Sequence, residues 1–172
     1  MTQLDDFRAA KDEFFHDDEH SPLATSQRES FSGLRYYPEA PELRLQLALD
    51  TEVDHAPFEM ATSMGDRQDY RHAGRVTFEL EGKLCELYLY SRDEKADVFF
   101  VPFRDRTSGK ETYASGRYLE VELGPAGEVE IDFNYAYNPY CAYNENWSCP
   151  LPPMENWLTV HIRAGELSFH PE

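Results

Sequence analysis

Two stretches, DRTSGKETYASGR at 105–117 and NYAYNPYCAYNENWSCPLPPMENW at 134–157, hold most of the side chains whose types and spacing point to chemistry. The second packs four Tyr, five Asn, two Cys, four Pro and two Trp into a segment with neither helical nor strand periodicity. Tyr and Trp supply rigid area and Asn side chains tie turns, so such a segment orders itself without a ladder and suits a plug or rim over one end of a sheet. The Pro run within residues 150–153 holds it extended. Asp105, Asp132 and Glu155 offer carboxylates for acid–base work or for pairing a cation. Cys141 and Cys149 have seven residues between them, wider than the tight pairs of zinc sites, and His16, His20, His55, His72, His161 and His170 are scattered outside the loop. A disulfide would close the loop easily but is disfavoured in a reducing compartment, so the pair reads as two reduced, packed thiols. A nucleophilic Cys141 needs a neighbour that lowers its pKa, and spacing alone places no His beside it. Ser108 lacks the G-x-S-x-G turn and the parallel α/β context of a hydrolase elbow.

These residues need elements to hold them. Residues 3–16 read as a helix: Leu4, Phe7, Lys11, Phe14 and Phe15 follow the spacing of one face, and Thr2 with Asp5 makes a capping-box pattern. Residues 17–33 read as a connector. From residue 34 the period falls to two, and LRLQLAL sets Leu43, Leu45, Leu47 and Leu49 on one face. Residues 57–64 form a weaker strand. RVTFELEGKLCELYLY predicts a hairpin turning at Gly82-Lys83, with Leu80 opposite Cys85, Phe78 opposite Leu87 and Val76 opposite Leu89. ADVFFVPF is a continuous apolar run, expected of a strand covered on both faces. RYLEVEL and EVEIDFN flank the turn GPAG, with an outward row of Glu120, Glu122, Glu128, Glu130 and Asp132. WLTVHI closes the pattern as a last strand with Leu158, Val160 and Ile162 inward. Eight or nine short strands predict an all-β fold, a single-domain antiparallel β-barrel or barrel-like sandwich with an N-terminal α-helix. Its parts are residues 1–33 as helix and connector and 34–172 as barrel, with the long loop 134–157.

Folded this way, the loop after ADVFFVPF and the loop after EVEIDFN meet at one end of the sheet. They carry Asp105, Thr107, Thr112, Tyr113, Asn134, Tyr137 and Asn138 toward one mouth. Arg117 shares the parity of Leu119 and Val121 and so points inward, where a guanidinium needs an acceptor: Asp105, Asp132 or Glu155. Three readings stand for Arg117: an ion pair fastening the loop to the barrel, an anchor for a carboxylate or phosphate ligand, or a strand-end residue facing solvent. Barrel mouths with a few convergent polar groups are common ligand sites.

The bulk composition bounds the rest. At 41% hydrophobic and 14% aromatic, the 172 residues suit a globular core rather than disorder. The N-terminus has no apolar signal core, which places the chain in the cytoplasm, and no run is long and apolar enough for a membrane helix. A net charge of −17, from 33 acids against 16 basic residues, repels phosphate backbones and anionic lipids and makes nucleic acid and membrane poor partners. The acid excess has two readings, a surface for a basic protein or metal and a solvation device for a high-salt cytoplasm; the acids are spread along the whole chain and only four of the basic residues are Lys, which favours the second.

FRDRTSGKETYASGRYL, IDFNYAYNPYCAYNENWSCPLPPMENW and the earlier SPL…FSGLRYYP resemble an uncharacterised family of prokaryotic domains of unknown function. Its signature runs FxDxTSGxxTYxxGRYL, then DFNxAYNPxCAY, then CPLPPxEN, and the likeness spans nearly the whole chain. The resemblance implies no activity or cofactor, but it picks out Asp105, Thr107, Thr112, Tyr113, Arg117, Asp132, Asn134, Tyr137, Asn138, Cys141, Cys149, Glu155 and Asn156. The expectation is a binder of a small, anionic ligand at one barrel end. Two other readings stay open, as does the oligomeric state: an enzyme with a carboxylate base at the same site, and an interaction module without a pocket.

Overall fold

A capping box starts the first helix, α1 (Gln3–Asp17): the Thr2 hydroxyl accepts from the Asp5 amide at 3.1 Å, and the Asp5 carboxylate accepts from the Thr2 amide at 2.9 Å. Leu4 and Phe15 of this helix are buried. The computed structural model describes residues 1–170. Within the stretch expected to be a connector lies a short second helix, α2 (Thr25–Glu29), whose Gln27 side chain accepts from the Ala24 amide and donates to the Tyr143 carbonyl.

Seven strands follow: β1 (Arg44–Ala48), β2 (Phe58–Ala61), β3 (Arg67–Leu80), β4 (Lys83–Ser91), β5 (Val98–Phe103), β6 (Arg117–Glu122) and β7 (Glu128–Asp132). β2-β3-β4-β5-β6 form one antiparallel sheet, and β1 pairs β7 in a second. Single bridges, Leu123 to Val129 and Asp50 to Arg75, link the two sheets at either side. The result is a curled antiparallel half-barrel with an N-terminal helix, as the period-two pattern predicts. Its concave interior is filled by side chains of one parity, among them Val76, Leu87, Val101, Leu119 and Ile131, each 2% exposed or less. Gly74 lets β3 bulge past the end of β1: a Cβ there would sit 2.6 Å from Leu49 and 2.8 Å from the Asp50 carbonyl.

Three expectations are corrected. The β3–β4 hairpin turns at Glu81-Gly82, not Gly82-Lys83. Both residues take positive φ (53° and 69°), the geometry of a type I′ turn. Leu80 therefore faces Lys83, Phe78 faces Cys85 and Val76 faces Leu87. The slip preserves parity, so the same side chains stay inward, and it sets Glu79 opposite Leu84 rather than opposite another acid. The acid row is also interrupted, because β1 places Arg44 and Gln46 opposite Asp132 and Glu130, and Arg44 bonds Glu130 at 3.0 Å.

WLTVHI, finally, is not a strand. Leu158, Val160 and Ile162 are buried alternately as expected, but the segment lies against the residues just after β5. Its backbone bonds run to the Arg104 carbonyl, the Arg106 amide and the Asp105 side chain. Alternation reported which side chains are buried; it carried no information on what pairs the backbone.

Candidate functional site

Arg117 opens β6 directly after Gly116, whose φ of +105° brings it so near β5 that a Cβ would overlap the Phe103 carbonyl. The guanidinium is wholly buried, 5.3 Å from the centre of the Phe103 ring. One terminal nitrogen donates to the Ala164 carbonyl at 2.5 Å and the Glu166 carbonyl at 3.3 Å; the other donates to the Ile162 carbonyl at 2.8 Å. Asp105 is its ion-pair partner at 3.6 Å. The Asp105 carboxylate also accepts from the Thr107 hydroxyl and from the Ile162 amide at 2.7 Å, while Thr107 meets the Thr112 hydroxyl at 2.9 Å. Burial pulls the guanidinium below its ordinary pKa and the Asp105 charge opposes that. Chemically the arrangement is a clamp. It turns the carbonyls of residues 162–166 toward one cation and leaves none of the described concavities lined by Arg117.

The asparagines act as detached peptide groups. Asn134 exchanges two bonds with the Ala40 backbone, at 2.8 and 3.0 Å, and is steadied by Asp132 at 2.8 Å. Asn138 donates through its backbone to Glu166 and through its side chain to the Leu167 carbonyl. Asn156 accepts from the Tyr88 amide at 2.8 Å and donates to the Tyr88 and Pro102 carbonyls, both at 2.9 Å. The expected residues thus fall into separate groups. Asp105, Thr107, Thr112 and Arg117 are together. Asp132 and Asn134 brace residue 40. Glu155 and Asn156 sit over β3–β5, and Tyr113, Tyr137, Asn138, Cys141 and Cys149 shape the loop.

In the loop, the Cys141 amide donates to the Cys149 sulfur at 3.3 Å, and the Tyr113 hydroxyl lies 3.7 Å from the Cys141 sulfur. The Cys149 thiol, joined by Tyr113 and Ser63, pulls Cys141 down to about 6 against the effect of burial. Cys149 is raised, first by its contact with the Cys141 thiol and then by burial. Burial, then the Cys141 contact, pushes Tyr113 up to about 12.

The largest of the described concavities lies outside the barrel. Tyr70, Phe100, Tyr118 and Tyr137 form a ladder of rings across the outer face of β3, β5, β6 and the loop, with successive centroids 5.6, 4.7 and 5.8 Å apart. Phe7, Lys11 and Phe14 of α1 wall one side and Tyr140, Trp147 and Cys149 the other, enclosing a groove of about 880 Å³. Arg92 stands over the Tyr70 ring at 5.0 Å and donates to neutral Gln68 rather than to a carboxylate. Of the expected residues only Tyr137 and Cys149 line this groove. Its floor was legible in principle, since Tyr90, Phe100 and Tyr118 occupy the outward parity of three strands, where polar residues are the norm.

Two further carboxylate clusters stand apart from Arg117: Glu166 was not expected, and Glu155 was expected as a carboxylate but not with these partners. Glu166, 1% exposed, receives Lys11 at 3.3 Å and the Tyr143 hydroxyl at 2.8 Å, tying α1 to the loop. Glu155 accepts from the Tyr90 hydroxyl at 2.5 Å, and the same oxygen lies 2.6 Å from His72 Nε2. Lys11 with Glu166, and Glu155 with Tyr90 and His72, lie more than 60 positions apart, which no local pattern signals.

Fold and site together define a curled half-barrel whose N-terminal helix and aromatic loop wall a groove on the outer face of the sheet. The chain belongs to the family described as "Protein of unknown function (DUF1684)", matched over residues 29–167. It is similar to the solution NMR structure of an uncharacterized protein from gene locus rrnAC0354 of Haloarcula marismortui, with 35% identity and a TM-score of 0.73 over 96% of this chain and 92% of that one. Comparison with curated proteins finds no match. Among the described residues no helix is long and apolar enough to cross a membrane.

Proposed function

We propose that this protein binds a small planar molecule bearing an acidic group, in the groove between α1, the outer face of β3–β6 and the loop 134–157. The observation that carries the reading is the ring ladder within a concavity of about 880 Å³, inside the ~300–1,000 Å³ of small-molecule sites. Ring faces and edges at that spacing suit stacking on a flat ligand. Arg92 at the rim supplies a cation that a carboxylate or sulfonate can meet. This places the ligand beside Tyr137 and Cys149 and leaves Arg117 to hold the C-terminal segment.

The test is fluorescence titration with anilinonaphthalene sulfonate, a flat aromatic anion. One saturable site of roughly micromolar affinity is expected. Tyr140→Ala and Arg92→Ala, both at surface positions of the groove, should each weaken it about fivefold to tenfold. Unsaturable binding, or affinity untouched by either change, would remove the groove as a site. We further infer a cytoplasm of high salt as the setting, on the strength of the −17 charge.

A further inference from the structure

We propose that Cys141 and Cys149 form a hydroperoxide-reactive dithiol, with Cys141 the attacking sulfur and Cys149 the resolving one. Four observations support it, and none depends on what fills the groove. The two cysteines sit together although eight positions apart, since the Cys141 amide bonds the Cys149 sulfur at 3.3 Å. The Tyr113 hydroxyl, held protonated by its raised pKa, lies 3.7 Å from the Cys141 sulfur and stabilises a thiolate there. Cys141 is part-exposed and Cys149 is buried, which favours Cys141 as the sulfur that meets a peroxide from bulk solvent. Cys149 is anchored through its backbone: its amide donates to the Ser63 hydroxyl at 3.0 Å and its carbonyl accepts from the Ser63 amide at 2.9 Å. Cys141 sits on the short 3-10 turn Tyr140–Ala142.

The lowered pKa of Cys141 fits the same assignment, because the thiolate is the nucleophile toward peroxides. In the first step the Cys141 thiolate attacks one peroxide oxygen and the O–O bond breaks. Cys141 becomes a sulfenic acid, and the departing alkoxide or hydroxide takes a proton from solvent. In the second step the Cys149 sulfur attacks the sulfenic sulfur, the S–O bond breaks, and the hydroxyl leaves as water with the proton of Cys149. The sum is dithiol plus hydroperoxide giving disulfide, alcohol or water, and one water. The third cysteine serves as an internal control: Cys85 is buried in the barrel and its thiol is raised by burial.

The experiment treats the reduced wild-type chain with one equivalent of hydrogen peroxide, in the presence and absence of dimedone, and maps the products by peptide mass spectrometry. Without dimedone, a Cys141–Cys149 disulfide with Cys85 still reduced is expected; with it, the adduct falls on Cys141. Cys149→Ser should accumulate the Cys141 adduct and form no intramolecular disulfide. Alkylation of Cys141 should be at least about tenfold faster than that of Cys85 at neutral pH, with a midpoint at pH about 6. Dimedone on Cys149 or Cys85 first, or overoxidation of Cys141 without a disulfide, would overturn the proposal. The wild-type mapping decides the matter even if the variant fails to fold.

Discussion

Arg117 shows how one side chain can replace a strand. Its terminal nitrogens satisfy the carbonyls of Ile162, Ala164 and Glu166, groups that a ladder partner would otherwise take. Arg117→Met would leave those carbonyls and the Asp105 carboxylate buried without a cation. A loss of about 3–5 kcal/mol is expected, the cost of stranding one partner of a buried pair. Urea unfolding followed by circular dichroism measures it. Arg117→Lys should recover only part of the loss, since one ammonium cannot span acceptors arranged for a planar fork. A Met variant as stable as wild type would mean that the backbone bonds and apolar packing of residues 158–166 hold the segment without the guanidinium.

At the scale of elements, the weak seam is between β4 and β5, which pair directly only at Tyr90 and Phe100. Pro102 has no amide to give, and the Asn156 side chain bridges the gap instead, bonding Tyr88 on one strand and Pro102 on the other. Asn156→Leu should cost roughly 3 kcal/mol, because it orphans a buried amide and two buried carbonyls. Hydrogen exchange at the Tyr88 amide should accelerate while that at Val76, in the β3–β4 ladder, changes less. Asn156→Asp preserves the shape but turns donors into acceptors facing carbonyls, and should be worse than Leu at neutral pH. Equal protection at Tyr88 in wild type and variants would show that the seam holds without the bridge.

For the molecule as a whole, net charge governs how stability responds to salt. An excess of 17 negative charges over 172 residues repels itself in the folded state, and molar salt cuts the screening length to ~3 Å. Cross-strand neutrals relieve part of the acid row locally, as Gln46 does opposite Glu130, but the net excess remains. Raising potassium chloride from about 0.1 M to about 2 M is expected to lift the melting temperature by roughly 6–12 °C, equivalent to about 3 kcal/mol for a chain of this length. A transition that ignores salt would leave the acid excess without a stabilising role and remove the high-salt setting inferred from it.

Periodicity and local chemistry were enough to establish the helix with its capping box, the inward parity of the β3–β4 hairpin and of most of β6 and β7, and the inward turn of Arg117; Leu123, expected inward, is exposed. These depend on neighbours within a few positions, where a period of two or 3.6 leaves little choice. The Glu81-Gly82 turn shows where such reasoning slips: a shift that keeps parity leaves no trace in the hydrophobic pattern. Long-range partners belonged to the tertiary structure. Only folding sets Asn156 between β4 and β5, Glu166 between α1 and the loop, and α1 across the ring ladder to make the groove. Each of these joins residues dozens of positions apart, and the bond is specified by where two backbones come to rest rather than by the residues that flank it.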